Sequence, residues 1–491
     1  MTNIGGALAS PQSVRPLGQP SAEEWPVLWD LADKLRDYGY TEEGVSRGMG
    51  TPDHSTRNLA AWPAHVRNCR KLKASDPCAG LAAFFLAEES VSEDELSTLL
   101  GRDAVKLMRR LKLVGKLGGK LHFRYFLYPL LGSFLLTDGY VSNPNHSNQV
   151  YMLGSDSHTL ARLAPRTAVN RALDHCTGSG VHAVLAARHA GHSVGLDINP
   201  RALDVSRFNA QLNRLENTTF LESDCYTNVS TERLGWEEPF RFELITANPP
   251  FVPTPETLSL CRGGGLSGEE VTEKIVRGLP HRLTGDGVFA MATNVPTFHD
   301  STFFQRCESW LEGHGSWGMI DLATHRWTLP SYVFGQMTPG PEEGFGDCFD
   351  RWMDGYESVG LSGITNSMVY LFPSAHPWRI ERPCLYPDRS ASPFVESWLA
   401  SLRSLGQSVR YRVNPALEAV LWTEGRQRAF FRWNEGHRWW QPLGSWLESG
   451  ESLQAMEVFY EHPEGVESSR FDPAALAPLL QEHVITLVQT P

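Results

Sequence analysis

The chain has 491 residues, 41% of them apolar and 20% charged, with a formal net charge of −12. That length allows two or three domains with ample core, and the acidic balance argues against a surface that binds nucleic acid all over. No apolar run is long enough to span a bilayer, and the first residues lack the charged and apolar regions of a signal peptide. The eight cysteines are scattered, with no Cys-x-x-Cys pair. Reduced thiols, a cytoplasmic location and no metal site are therefore expected.

In chain order, residues 1–20 read as a flexible Ser-, Pro- and Gly-rich tail, and residues 21–140 as a helical, winged-helix-like domain. A helix starts after Ser21, with Trp25, Leu28, Leu31 and Leu35 as its buried face. A second starts near Thr56 and runs toward Lys71. Three more helices begin near Leu81, Ser92 and Asp103, and Gly118-Gly119 turns a hairpin after them. Residues 102–124 hold eight cations against one acid, a net +7. This patch reads either as a dock for RNA or an acidic protein, or as a solvated helix face.

An α/β domain is expected over 141–375. Residues 138–165, which link it to the N-terminal domain, read as an ordinary connector, or, by their position in the family identified below, as a loop over the bound ligand. Four polar clusters then follow short apolar runs, and helix-like segments separate the runs: Leu-Asp-His-Cys-Thr-Gly-Ser-Gly at 173–180, Gly-Leu-Asp-Ile-Asn-Pro at 195–200, Glu-Ser-Asp-Cys at 222–225 and Ala-Asn-Pro-Pro-Phe at 247–251. This is the layout of a nucleotide site along the carboxyl edge of a parallel sheet. Gly178 and Gly180 permit close approach to a helix N-terminus. Asp197, 23 residues after Asp174, can accept both hydroxyls of a ribose. The loop lacks the third glycine of a dinucleotide fingerprint, with Val181 at that position, and so suits a smaller nucleoside better. Asp224 reads as an adenine contact or a helix cap. Pro249 and Pro250 force the chain out of the sheet directly after Asn248. The Asn248 side-chain carbonyl and the Pro249 carbonyl then become two acceptors for the N–H groups of a planar nitrogen, with Phe251 as a stacking face.

Residues 173–251 resemble the catalytic core of class I S-adenosylmethionine-dependent methyltransferases of the Asn-Pro-Pro-Phe/Tyr group, closest to the small-domain branch of release-factor glutamine and ribosomal-RNA guanine-N2 methyltransferases. The resemblance implies a Rossmann-like seven-stranded α/β fold and S-adenosyl-L-methionine as cofactor. It also implies cofactor contacts from Asp174, Cys176, Thr177, Gly178, Gly180, Asp197, Ile198, Asp224, Cys225 and Asn248. Asn248, Pro249 and Phe251 would be the catalytic residues, and Pro250 and Phe251 would meet the substrate. The family usually has glycine where this chain has Cys176, a departure that bears on the methionine slot.

After Phe251 comes a glycine-rich loop at 261–270 without a phosphate-loop lysine; Arg262 and Glu269 there are candidate substrate contacts. Strands five, six and seven are expected at 287–292, 316–323 and 368–372. The segment 326–366 between the last two is rich in aromatics and acids and reads as a substrate lid or a packing excursion. Residues 376–491 form a small α+β C-terminal module, in which Arg428–Trp433 and His437–Gln441 suggest a hairpin.

Three functions fit these residues. The first is N-methylation of a planar nitrogen in a peptide, protein or specialised metabolite. The second is methylation of a guanine or adenine amino group in RNA, anchored by residues 102–124. The third is a non-catalytic, cofactor-binding winged-helix regulator, which Cys176 keeps open.

Overall fold

The computed structural model describes residues 17–51, 62–139, 148–256, 261–340, 342–387, 389–422, 428–434, 437, 439–440, 445–448 and 450–488. Most of the 1–20 tail and the expected helix start near Thr56 lie outside these residues.

The central sheet is formed by β1 (Val169–His175), β2 (Ala190–Asp197), β3 (Thr218–Glu222), β4 (Phe242–Ala247), β5 (Leu283–Phe298), β6 (Trp317–Thr328), β7 (Leu361–Pro373) and β8 (Arg379–Pro383). Their order is β3-β2-β1-β4-β5-β7-β6-β8. Strand β7 runs antiparallel to β5 and β6, and every other pairing is parallel. The eighth strand extends the seven-stranded expectation: Arg379–Pro383 joins this sheet, parallel to β6, rather than the C-terminal module.

Alternation along the strands gives both faces an apolar coat. Leu173, Ile245, Phe289 and Met319 share one core with α4 (Glu270–Arg282) and α5 (Phe303–Trp310). Ala172, Leu244, Ala290 and Ile320 share another with α1 (Ser155–Leu163) and with Trp398, Trp440 and Phe459 of the C-terminal module. Strand β1 has β2 on one side and β4 on the other, so the connections leaving β1 and β4 diverge and open a crevice at the carboxyl edge.

The N-terminal part carries helices Trp25–Asp37, Glu42–Met49, Trp62–Leu72, Pro77–Phe85, Glu93–Leu100 and Arg102–Arg110. The second, capped by Thr41 and ended by left-handed Gly50, has no counterpart in the sequence reading. The last three precede a hairpin, Val114–Leu117 with Lys120–Phe123, whose turn glycines Gly118 and Gly119 have φ of 57° and 80°. Val91 bridges Leu121.

A second hairpin, Tyr125–Leu130 with Ser133–Asp138, docks on α3 (Pro200–Leu212). Asn209 of α3 accepts from Leu136 N at 2.8 Å and donates to Leu136 O at 2.9 Å. Asn213, at the C-cap of α3, treats Phe134 in the same way, at 3.0 and 2.7 Å. Two asparagines one turn apart therefore imitate the edge of a neighbouring strand. Arg201 adds a nearly buried ion pair to Asp138.

In the C-terminal module Arg428–Trp433 pairs with Leu417–Trp422 and Ser445–Glu448, which corrects the hairpin expected with His437–Gln441. Trp439 and Trp440 turn inward instead, packing on Phe394 and, for Trp440, on Trp398. Burial of two indoles outweighs continuation of a two-stranded ribbon.

The expected lid segment contains α6 (Leu329–Gln336) and α7 (Phe345–Ser358), flanked by prolongations of β6 and β7. Among the described residues no helix is long and apolar enough to cross a membrane.

Replacing Asn209 with Ala leaves the buried Leu136 N–H and C=O without partners. We expect a loss of about 2–3 kcal/mol in chemical denaturation. Arg277→Ala, which removes an exposed pair to Glu273, should stay within about 0.5 kcal/mol.

Candidate active site

The loop leaving β1 turns sharply because Cys176, Gly178 and Gly180 all lie in the left-handed region, at φ of 52°, 54° and 79°. A Cβ on Gly180 would stand 2.9 Å from Ser206 Cβ, so only glycine lets the loop pass α3. Asp174 is buried behind this turn. It accepts from Thr177 Oγ1 at 2.6 Å and Thr246 Oγ1 at 2.8 Å, and burial pushes its pKa up to about 7. It shapes the loop and does not reach the cavity. Asp197, at the end of β2, accepts from Gly178 N at 2.8 Å and Asn199 N at 2.9 Å. Burial holds its carboxyl above the usual range.

Where β4 ends, Asn248 donates from Nδ2 to Asp156 Oδ2 at 2.8 Å and to Ser157 Oγ at 3.1 Å. Both acceptors sit in the first turn of α1. Asn248 Oδ1 is buried and has no partner among the described residues. The carboxyl of Asp156 is raised by burial.

One cavity of about 220 Å³ joins these parts. Cys176, Thr177, Gly178, Asp197, Ile198, Asp224, Cys225, Asn248, Pro249, Pro250, Phe251 and Arg262 all line it. Asp174 and Gly180 stand behind the wall. Ile198 is 47% exposed and presents apolar surface to the cavity beside Asp197. Asp224 pairs with Lys274 at 3.1 Å. Arg262 donates to Gln336 Oε1 at 2.9 Å. Glu269 is not among the lining residues: Arg306 takes both oxygens of this buried carboxylate at 2.8 and 2.9 Å.

The sequence reading missed Asp156, Ser157, His175 and His182, which also line the cavity. Burial lowers both histidines to about 3 and keeps them neutral; His182 leaves Nε2 buried and unpartnered. The Ser-Asp-Ser run at 155–157 just before the core was the available signal for the first pair.

The lining carries three carboxyl groups, Asp156, Asp197 and Asp224, against one guanidinium, Arg262. Together with the unpartnered His182 Nε2 and the apolar Ile198 platform, this donor set fits a cationic nucleoside such as S-adenosylmethionine.

Cys176 occupies a backbone conformation that costs a side-chain-bearing residue about 1 kcal/mol relative to glycine. Cys176→Gly should therefore fold at least as stably in a melting experiment and retain cofactor binding. Loss of binding would give the thiol itself a role.

Residues 153–308 match the methyltransferase small domain family. The chain is 31% identical over 147 residues to a putative protein N5-glutamine methyltransferase of Methanocaldococcus jannaschii, covering 28% of this chain and 70% of that one. It is 33% identical over 147 residues to a ribosomal protein uL3 glutamine methyltransferase of Bradyrhizobium diazoefficiens, covering 27% and 44%. It is 31% identical over 132 residues to a release factor glutamine methyltransferase of Thermodesulfovibrio yellowstonii, covering 24% and 44%. The chain thus spans less than half the length of the last two. A solved putative methyltransferase complexed with SAH is 13% identical, with a TM-score of 0.29 over 56% of this chain and 66% of that one, a likeness too slight to add to the fold read from the strand order. With the motif edge, the crevice and the first relative in agreement, the chain belongs to the S-adenosylmethionine-dependent methyltransferases of the small-domain group.

Proposed function

We propose that the protein methylates the side-chain amide nitrogen of a glutamine in a protein. The observation that carries this reading is the oriented Asn248 amide. Asp156 and Ser157 hold its Nδ2, so the buried Oδ1 is left as an acceptor waiting for a donor. A primary amide brings two N–H donors in one plane, one for Asn248 Oδ1 and one for the Pro249 carbonyl. The names of the three relatives point to the same acceptor class.

S-adenosylmethionine supplies the electrophilic methyl group when bound. In this reading Asp197 and Ile198 hold its nucleoside and the Cys176–Gly178 turn its amino-acid tail. Asn248 and Pro249 aim the acceptor's lone pair and stabilise the positive charge that develops on nitrogen as the N–C bond forms. Phe251 stacks on the amide plane, and the site acts mainly through alignment. The amide proton leaves after bond formation, so no strong base is required.

The RNA alternative has less support: three of the eight cations in the basic patch pair locally, Arg109 with Glu93, Arg110 with Glu24 and Lys106 with Asp103, and none of the three relatives is named for RNA.

Asn248→Ala should bind cofactor in calorimetry and lose turnover by about 10²–10³-fold, the scale of one lost charge-stabilising contact. Asp156→Ala should also lower turnover, because the Asn248 amide is then free to rotate. Unchanged turnover in Asn248→Ala contradicts the assignment.

A further inference from the structure

A second cavity of about 140 Å³ lies beside the first and shares Asp156, Phe251, Asn294 and Gln336 with it. The two form one passage past Phe251. Its outer wall comes from the prolonged strands β5, β6 and β7 and from α6, so the segment 326–366 builds much of it. Tyr356 and Arg351 of α7 tie that segment to the chain after Phe251, through Pro253 O at 2.8 Å and Glu256 Oε2 at 2.8 Å. The wall is therefore a fixed part of the site.

Its chemistry is neutral. Among the described residues no lysine, arginine or histidine lines it, and its one carboxyl is Asp156, already engaged by Asn248. Three amides line it, Asn294, Gln336 and Asn366; Gln336 Oε1 is taken by Arg262 at 2.9 Å, and the other two face each other across strands. Asn294 donates from Nδ2 to the Tyr332 hydroxyl at 2.6 Å, which leaves its Oδ1 to accept. Asn366 accepts on Oδ1 from Trp327 Nε1 at 2.9 Å, which leaves its Nδ2 to donate. The two asparagines are direct cross-strand partners on β5 and β7, so they share a face with Cβ atoms about 5 Å apart. One acceptor and one donor side by side match what a single extended peptide residue shows along one edge, its N–H and its C=O.

We propose that this cavity holds the main chain of a residue next to the accepting glutamine and selects uncharged side chains there; the proposal rests on the glutamine reading above. A charged side chain entering it loses its hydration and meets no counter-ion. A phosphate finds no cation to pair with, so the passage also disfavours a nucleic-acid strand.

The test uses the full chain, methyl-labelled S-adenosylmethionine and cyclic peptides bearing one glutamine, with the residues on either side varied among Gly, Ser, Asn, Asp and Lys. RNA oligonucleotides are offered in parallel. Neutral neighbours should exceed Asp and Lys by about tenfold or more in kcat/KM. Asn366→Asp, which replaces the donor with a carboxylate, should raise lysine-flanked peptides relative to neutral ones while cofactor affinity stays unchanged. Equal rates whatever the flanks, or no change of preference in Asn366→Asp, overturn the subsite and leave the glutamine reading standing. Absence of label from every glutamine peptide, whether or not RNA takes it up, overturns both.

Discussion

The orientation of the Asn248 amide is the constraint on which the site depends. An amide has a donor end and an acceptor end, and a half turn would point a donor at another donor. The bonds to Asp156 and Ser157 decide the matter from the nitrogen side, across 92 and 91 residues of sequence. Pro249 and Pro250 complete the arrangement by removing the N–H groups that would have continued the strand. An unpaired buried acceptor costs about 1–3 kcal/mol, and here that cost stands until a ligand with an N–H arrives. Under the proposed function, binding energy is thus directed at the atom beside the accepting nitrogen.

The segment before α1, which leads into Asp156, is tied to the N-terminal part of the chain. Asp138, at the end of the second hairpin, accepts from Val150 N at 2.8 Å and from Arg201 Nη1 at 2.6 Å. Asn199, the N-cap of α3, donates to Asn148 O at 3.0 Å. Asn209 and Asn213 clamp the same hairpin to α3. The hairpin and α3 therefore hold in place the stretch that supplies Tyr151, Asp156 and Ser157 to the cavity. The exposed cations of the N-terminal domain are partly spent on neighbouring acids.

Strands β1 to β4 and their four polar clusters were legible in the sequence because parallel strands are continuous apolar runs and each ends at a chemically distinctive turn. The Asn-Pro-Pro-Phe exit was clear for the same reason: proline has one consequence at a strand end. What was not legible depended on distance in sequence. Nothing local shows that Asp174 is occupied by two threonines, that Glu269 is consumed by Arg306, or that Asp156 reaches Asn248. Strand β8 was not read as a strand, and its residues fell within the expected C-terminal module, because five residues carry too little periodicity to stand out. The C-terminal hairpin failed where tertiary burial of Trp439 and Trp440 overrode local pairing. Cys176 looked anomalous beside the family pattern, and its positive φ explains why glycine is usual there.

The most direct measurement is mass spectrometry of the methylated product. Extract from cells lacking the protein is incubated with the purified chain and methyl-labelled cofactor, digested with protease, and the labelled residue sequenced. The account predicts label on glutamine side chains of protein, unaffected by prior ribonuclease treatment. Label confined to nucleotides and abolished by ribonuclease would contradict it.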